Sequence, residues 1–187
     1  MNHLLHIPGL VHVLQTVNAN RLALAHQNLS PGVNRSEAEH LIETLFQPSL
    51  ALAVYGTLAP GASNAAMMAT IPGQWRTGRV RGHRYENSAG AAIGYPGMVW
   101  DMAASPHPVQ LFQSTDLPQH WPRLDEFEGD GYVRILVPIE APETMDGTRS
   151  ENPPEIMPVE IPETTTIRLV AIANLYALRP NSIPQTS

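Results

Sequence analysis

Helical periodicity in the first 48 residues, followed by apolar and alternating runs of strand length, predicts an α+β protein. From Leu10 to Ala25, the apolar residues Leu10, Val11, Leu14, Val17, Leu22 and Ala25 have the spacing of an amphipathic helix. Ser30-Pro31-Gly32 breaks the chain. Ser36 opens a second helix, with Glu39 three residues on as a capping box. Leu41, Ile42, Leu45 and Phe46 form its apolar face, and Pro48 stops it. These helices form an N-terminal extension, residues 1–48, packed on the remainder or serving a partner contact.

The strands come next. Leu50 to Tyr55 is a continuous apolar run, the pattern of a strand buried on both faces. It leads into Gly56-Thr57-Leu58. That turn is either an ordinary tight connection or a place where free backbone N–H groups bind an anion. Ala62 to Ala69 is a short, weak helix whose methionines, Met67 and Met68, suit packing. Trp75 to Tyr85 suits a strand, with Arg76, Arg79, Arg81 and Arg84 on its solvated side. Gly90 to Gly97 is a glycine-rich loop without the spacing of a phosphate cradle. Met98 to Met102 and Val109 to Gln113 are further strands. Asp116 and Gln119 form a second capping box. Pro122 leaves two options for the following helix: a kink there, or a break near His120 with Pro122 starting a new helix.

Tyr132 to Glu140 alternates, with Val133, Ile135, Val137 and Ile139 on one side. Residues 141–163, rich in Pro, Glu, Ser and Thr, read as a long exposed loop within a hairpin. Thr165 to Leu178 is the last strand, and the tail from Pro180 is loose.

Composition narrows the function. A hydrophobic fraction of 43% gives a chain of 187 residues a full core. With a net charge of −6 and no basic block, nucleic acid is not an expected partner. No run reaches the ~20 apolar residues of a membrane helix. Met1 to Leu14 lacks a basic start and is interrupted by His3, His6, Pro8 and Gly9, so no signal peptide is read and the cytoplasm is the default. The absence of cysteine removes disulfides, thiolate nucleophiles and zinc–thiolate sites. The eight histidines are scattered, so no metal is expected.

The distinctive stretch is Leu124-Asp125-Glu126-Phe127-Glu128-Gly129-Asp130-Gly131-Tyr132-Val133-Arg134. On a helix, Leu117, Trp121, Leu124 and Glu128 share one face, apolar except for Glu128. Glu128 stands where the helix stops at Gly129. It is either a helix-end acid reaching water or a desolvated carboxyl with a raised pKa, able to hold and release a proton near neutrality.

Tyr55-Gly56-Thr57-Leu58, Leu124-Asp125-Glu126-Phe127-Glu128-Gly129 and Tyr132-Val133-Arg134, in that order and separation, resemble the gamma-glutamylcyclotransferase-like family, AIG2-like proteins included. The resemblance covers roughly Leu50 to Leu178. It implies a small mixed β-barrel or curled sheet with a few helices, a domain spanning 49–187. It also implies cyclisation of a gamma-glutamyl amide to 5-oxoproline with release of an amine or amino acid. Glu128 would be the general acid/base; Tyr55, Gly56, Thr57, Leu58 and Tyr132 would bind substrate; Tyr95 and Pro96 would border the pocket. The implied partner is a small gamma-glutamyl compound, with no cofactor, and Arg134 is either structural or a carboxylate partner. A non-catalytic binding or interaction module on the same fold is the competing expectation.

Overall fold

The computed structural model describes residues 9–27, 35–142, 157–161 and 165–184. In chain order, its helices are α1 (Leu10–His26), α2 (Glu37–Phe46), α3 (Ala66–Ala69) and α4 (Leu117–Glu128). The strands are β1 (Ala51–Val54), β2 (Gln74–Tyr85), β3 (Gly97–Trp100), β4 (Pro106–Gln113), β5 (Tyr132–Glu140), β6 (Met157–Ile161) and β7 (Thr165–Leu178). The order β1-β4-β2-β5-β7 closes on itself, because β7 also pairs with β1. That last contact is parallel and the others are antiparallel, so the closed five-stranded barrel is mixed. β3 pairs with the last four residues of β2, and β6 with the first part of β7.

Alternation decides what fills the barrel. Ala51, Ala53, Val80, Leu111, Ile135 and Leu175 come from all five strands and belong to one buried cluster. Leu52 and Val54 point the other way and pack with Leu117, Trp121 and Leu124 of α4. β1 is therefore buried on both faces, which is why its sequence is a continuous apolar run. α1 and α2 cover a third region, where Leu10, Leu14, Val17 and Ile42 meet Leu136, Leu169 and Ile172.

The barrel has one weak seam. β2 and β5 pair only at Arg79 and Glu140. Along the rest of that edge, β5 needs other partners for its backbone. Asn18 of α1 supplies two: its side-chain amide donates to the Leu136 carbonyl at 2.8 Å and accepts from the Leu136 N–H at 2.8 Å. The Arg134 carbonyl accepts from Arg21 of α1 at 3.2 Å, and the Tyr132 carbonyl from Arg179 at 2.9 Å. Pro138 has no N–H to satisfy, which suits a strand edge without a neighbour. Arg21 also donates to Asn174 at 2.8 Å and pairs with Glu39 of α2. Both Arg21 and Glu39 are buried.

Several sequence expectations need correction. Ser36 caps α2 by accepting from the Glu39 N–H at 3.2 Å, but the Glu39 carboxylate turns to Arg21 instead of closing the box. Asp116 makes no side-chain cap; its own N–H donates to Ser114 Oγ at 3.0 Å. α4 is one helix with Pro122 inside it. The carbonyl that loses its partner belongs to Pro118, and both prolines are exposed, so water can serve it. Arg81 is not simply solvated, because it pairs with the buried Glu140. Part of the expected loop 141–163 is strand β6; residues 143–156 and 162–164 lie outside the described residues, as do the break at Ser30-Pro31-Gly32 and the first eight residues, His3 and His6 included. The tail is anchored as far as Ser182, whose carbonyl accepts from the Ala89 N–H at 2.9 Å. Among the described residues, no helix is long and apolar enough to cross a membrane.

Candidate active site

A cavity of about 400 Å³ opens where β1 leaves the barrel and α4 ends. Glu128, Tyr55, Gly56, Thr57, Leu58 and Tyr132, the six residues singled out from the sequence, all line it. Three short backbone features bring them together. β1 ends at Val54 and delivers Tyr55 and the Gly56-Thr57-Leu58 turn to the rim. α4 carries the buried Leu117, Trp121 and Leu124, and Glu128 extends that line by one turn. Gly129 then stops the helix at φ 64°, ψ −161°, a conformation open essentially to glycine alone. Gly131 follows, so close to the neighbouring loop that a Cβ there would sit 2.8 Å from Ala92. Tyr132 begins β5 immediately afterwards.

Two carbonyls of the Gly56-Thr57-Leu58 turn are bonded within the loop that follows β1. The Gly56 carbonyl accepts from Ala59 at 3.1 Å and the Thr57 carbonyl from Asn64 at 2.9 Å. Among the described residues, the N–H groups of Gly56, Thr57 and Leu58 have no acceptor. Three unused donors in one turn can hold an anion or an oxyanion. Gly56 does not have a left-handed φ, and a Cβ there would meet the Pro96 ring at van der Waals distance, 3.4 Å.

Glu128 is half-buried and accepts no hydrogen bond among the described residues. Burial pushes its carboxyl up from the usual 4.5 to about 7, helped by the negative charge of Asp125. It therefore exchanges a proton near neutral pH. Tyr55 and Tyr132 are less free. The Tyr55 hydroxyl donates to the Tyr176 carbonyl at 2.6 Å, and the Tyr132 hydroxyl to the Pro96 carbonyl at 2.8 Å. Burial and the nearby Glu128 carboxylate raise both phenols. With its proton committed, the Tyr132 hydroxyl can offer a lone pair to a donor such as an ammonium, whereas the buried Tyr55 oxygen already faces the Met98 N–H.

Arg134 lies outside the cavity. It grips Asp125 through two bonds, at 2.9 and 3.0 Å, and its guanidinium stands 4.3 Å above the Trp121 ring. Tyr176 donates to the same Asp125 oxygen at 2.7 Å. Through Asp125, the Arg134 side chain ties the start of β5 to the end of α4. Sequence reasoning missed Asn64, Phe127 and Tyr176 as lining residues, and Asp125 as the charge next to Glu128. The last was legible, since Asp125 stands three residues before Glu128 on a helix. Asn64 sits in a turn, where no periodicity marks it. Tyr95 and Pro96 do line the cavity. No group of three or more His, Asp or Glu among the described residues is arranged to hold a metal ion.

The model of the family described as gamma-glutamyl cyclotransferase, AIG2-like, matches residues 52–152, more than half of the chain. The chain belongs to that family. No curated protein matches the chain. Among solved structures, it is similar to YkqA from Bacillus subtilis, with 20% identity and a TM-score of 0.41 over 71% of this chain. The chain spans only 37% of YkqA. It is also similar to the uncharacterized protein PH0828 from Pyrococcus horikoshii, with 14% identity and a TM-score of 0.43, over 74% of this chain and 83% of the other.

Proposed function

We propose that this protein cyclises a gamma-glutamyl amide, releasing 5-oxoproline and an amine or amino acid. The observation that carries the reading is the pairing of Glu128, its carboxyl raised to about 7, with the unused N–H donors of Gly56-Thr57-Leu58 in one cavity. The reaction needs little else. The nucleophile is the substrate's own α-amine, so attack on the γ-carbonyl is intramolecular and much of the entropic barrier is absent. The new bond joins that nitrogen to the γ-carbon; the amide C–N bond breaks, and no water is consumed.

Glu128, as carboxylate, takes a proton from the α-ammonium and then gives it to the departing nitrogen; the attacking nitrogen sheds a second proton as it becomes the lactam N–H, and the amine carries that proton away as its ammonium. A carboxyl near 7 suits both halves of that cycle. The turn amides hold the α-carboxylate and polarise the γ-carbonyl oxygen. Tyr132 accepts from the ammonium, since its own proton is held by Pro96. No cofactor takes part.

Incubating the protein with a panel of gamma-glutamyl dipeptides and amines tests the reading, with 5-oxoproline measured beside a Glu128→Gln variant. Release that falls by at least ~10² in the variant is expected. Equal release by both would reject Glu128 as the acid/base. Binding without release from any compound would favour a binding module.

A further inference from the structure

Beyond the scissile amide, the cavity has a chemical character of its own. Of the described residues that line it, the charged ones are Glu128 and Asp130; none is an arginine or a histidine. The nearby cations have partners elsewhere: Arg134 pairs with Asp125, Arg179 donates to the carbonyls of Tyr132 and Ala25, and Arg84, close enough to act on Tyr55, pairs with Glu86. The turn amides match one carboxylate, that of the glutamyl group. A second carboxylate, on the leaving amine, would face two acids with no cation among the described lining residues to meet it. Apolar side chains also stand at the rim. Among the described residues, the exposed large hydrophobic side chains are Leu41, Leu45, Ile93, Tyr95 and Phe127. Two of these five belong to the cavity's border. Tyr95, 57% exposed, and Phe127, 39% exposed, line it, and Ile93, 73% exposed, lies in the same loop as Tyr95. Apolar groups grouped at a pocket mouth serve binding more often than groups scattered singly.

We propose that the site selects gamma-glutamyl amides whose leaving amine has an apolar body and no carboxylate, with Tyr95 and Phe127 seating that body and Asp130 repelling acidic competitors. This inference rests on the cyclotransferase reading of the cavity. The test uses matched compounds: gamma-glutamyl-benzylamide, gamma-glutamyl-phenylalanine (the same ring plus a carboxylate) and gamma-glutamyl-ethylamide. For 5-oxoproline release, kcat/KM for the benzylamide should exceed that for the phenylalanine compound by about tenfold or more, since like charges at close range cost several kcal/mol. Asp130→Lys should narrow that ratio. Phe127→Ser should lower kcat/KM for the benzylamide by about fivefold, through lost apolar contact, and for the ethylamide by less. Equal or better use of the phenylalanine compound overturns the inference, as does an unchanged ratio in Asp130→Lys or an equal loss on both amides in Phe127→Ser. If the wild type releases nothing, the cyclotransferase reading fails, and calorimetric binding to Glu128→Gln still decides selectivity. Preference for the benzylamide upholds it; equal, reversed or absent binding overturns it.

Discussion

Glu128→Gln should make the folded protein more stable at alkaline pH. The folded carboxyl titrates near 7 against a usual 4.5, so between those values the folded state holds a proton that the unfolded chain has lost. Stability then falls as pH rises through that window, because the native state binds more protons than the unfolded one. At about 1.4 kcal/mol per pH unit, the full difference is about 3.4 kcal/mol. The carboxyl is only half-buried, so solvent screening reduces this to about 2 kcal/mol. Glutamine keeps the shape and drops the charge. Urea unfolding of both proteins at pH 4, 6 and 8.5 reads the difference directly. Near pH 4 the two should agree within about 0.5 kcal/mol, and at pH 8.5 the variant should lead by about 2 kcal/mol. A variant that is weaker at pH 8.5, or a gap that ignores pH, would refute the claim that burial holds this carboxyl near 7. If the same variant also loses 5-oxoproline release, the charge is retained for activity at a cost in stability.

Other expectations follow from named contacts. Asn18→Ala strips both partners from the backbone of Leu136, itself fully buried, and should cost about 2–5 kcal/mol in denaturant unfolding; a loss under about 1 kcal/mol would mean that the seam does not depend on it. Gly129→Ala meets open space, so its cost should be the backbone penalty alone, about 1–3 kcal/mol, and an unchanged midpoint would contradict the geometry described for this turn. Asp125→Asn removes a negative charge that raises Glu128, so the acidic limb of the kcat/KM profile should move to lower pH, by less than burial contributes. A limb that stays put or moves up would remove Asp125 from the account.

The apolar skeleton was legible because burial on a pleated or helical surface leaves a period. The alternation of Val133, Ile135, Val137 and Ile139 gave the inward face of β5, and Leu117, Trp121 and Leu124 gave the seat of α4. Polar residues that work in the interior leave no such trace. Asn18 and Arg21 occupy the buried stripe of α1, between Val17 and Ala25, yet a hydrophobicity count assigns them to solvent. Their partners are backbone carbonyls of Leu136 and Arg134, more than a hundred residues away, and no local pattern encodes that distance. The anchored tail was hidden for a similar reason: at Gly90 a Cβ would stand 2.6 Å from the Asn181 carbonyl, a contact visible only in three dimensions. Family motifs gathered the cavity's best-defined groups, while Asn64 and Phe127 carried no motif of their own.

The seam and the cavity are physically connected. Arg21 reaches from α1 to the Arg134 carbonyl and to Asn174. The Arg134 side chain, on the same residue, clamps Asp125, which also receives Tyr176. Asp125 is in turn the charge that adds to the burial of Glu128. A strand in the seam would satisfy the β5 backbone with carbonyls and amides alone, fixing no side-chain charge. Filling the gap from a helix instead places a buried guanidinium, held by Glu39, behind the residue that orients the end of α4. Buried charges are costly unless paired, and a paired set has few alternative arrangements. The same network that completes the barrel therefore restricts where Asp125, and with it Glu128, can stand.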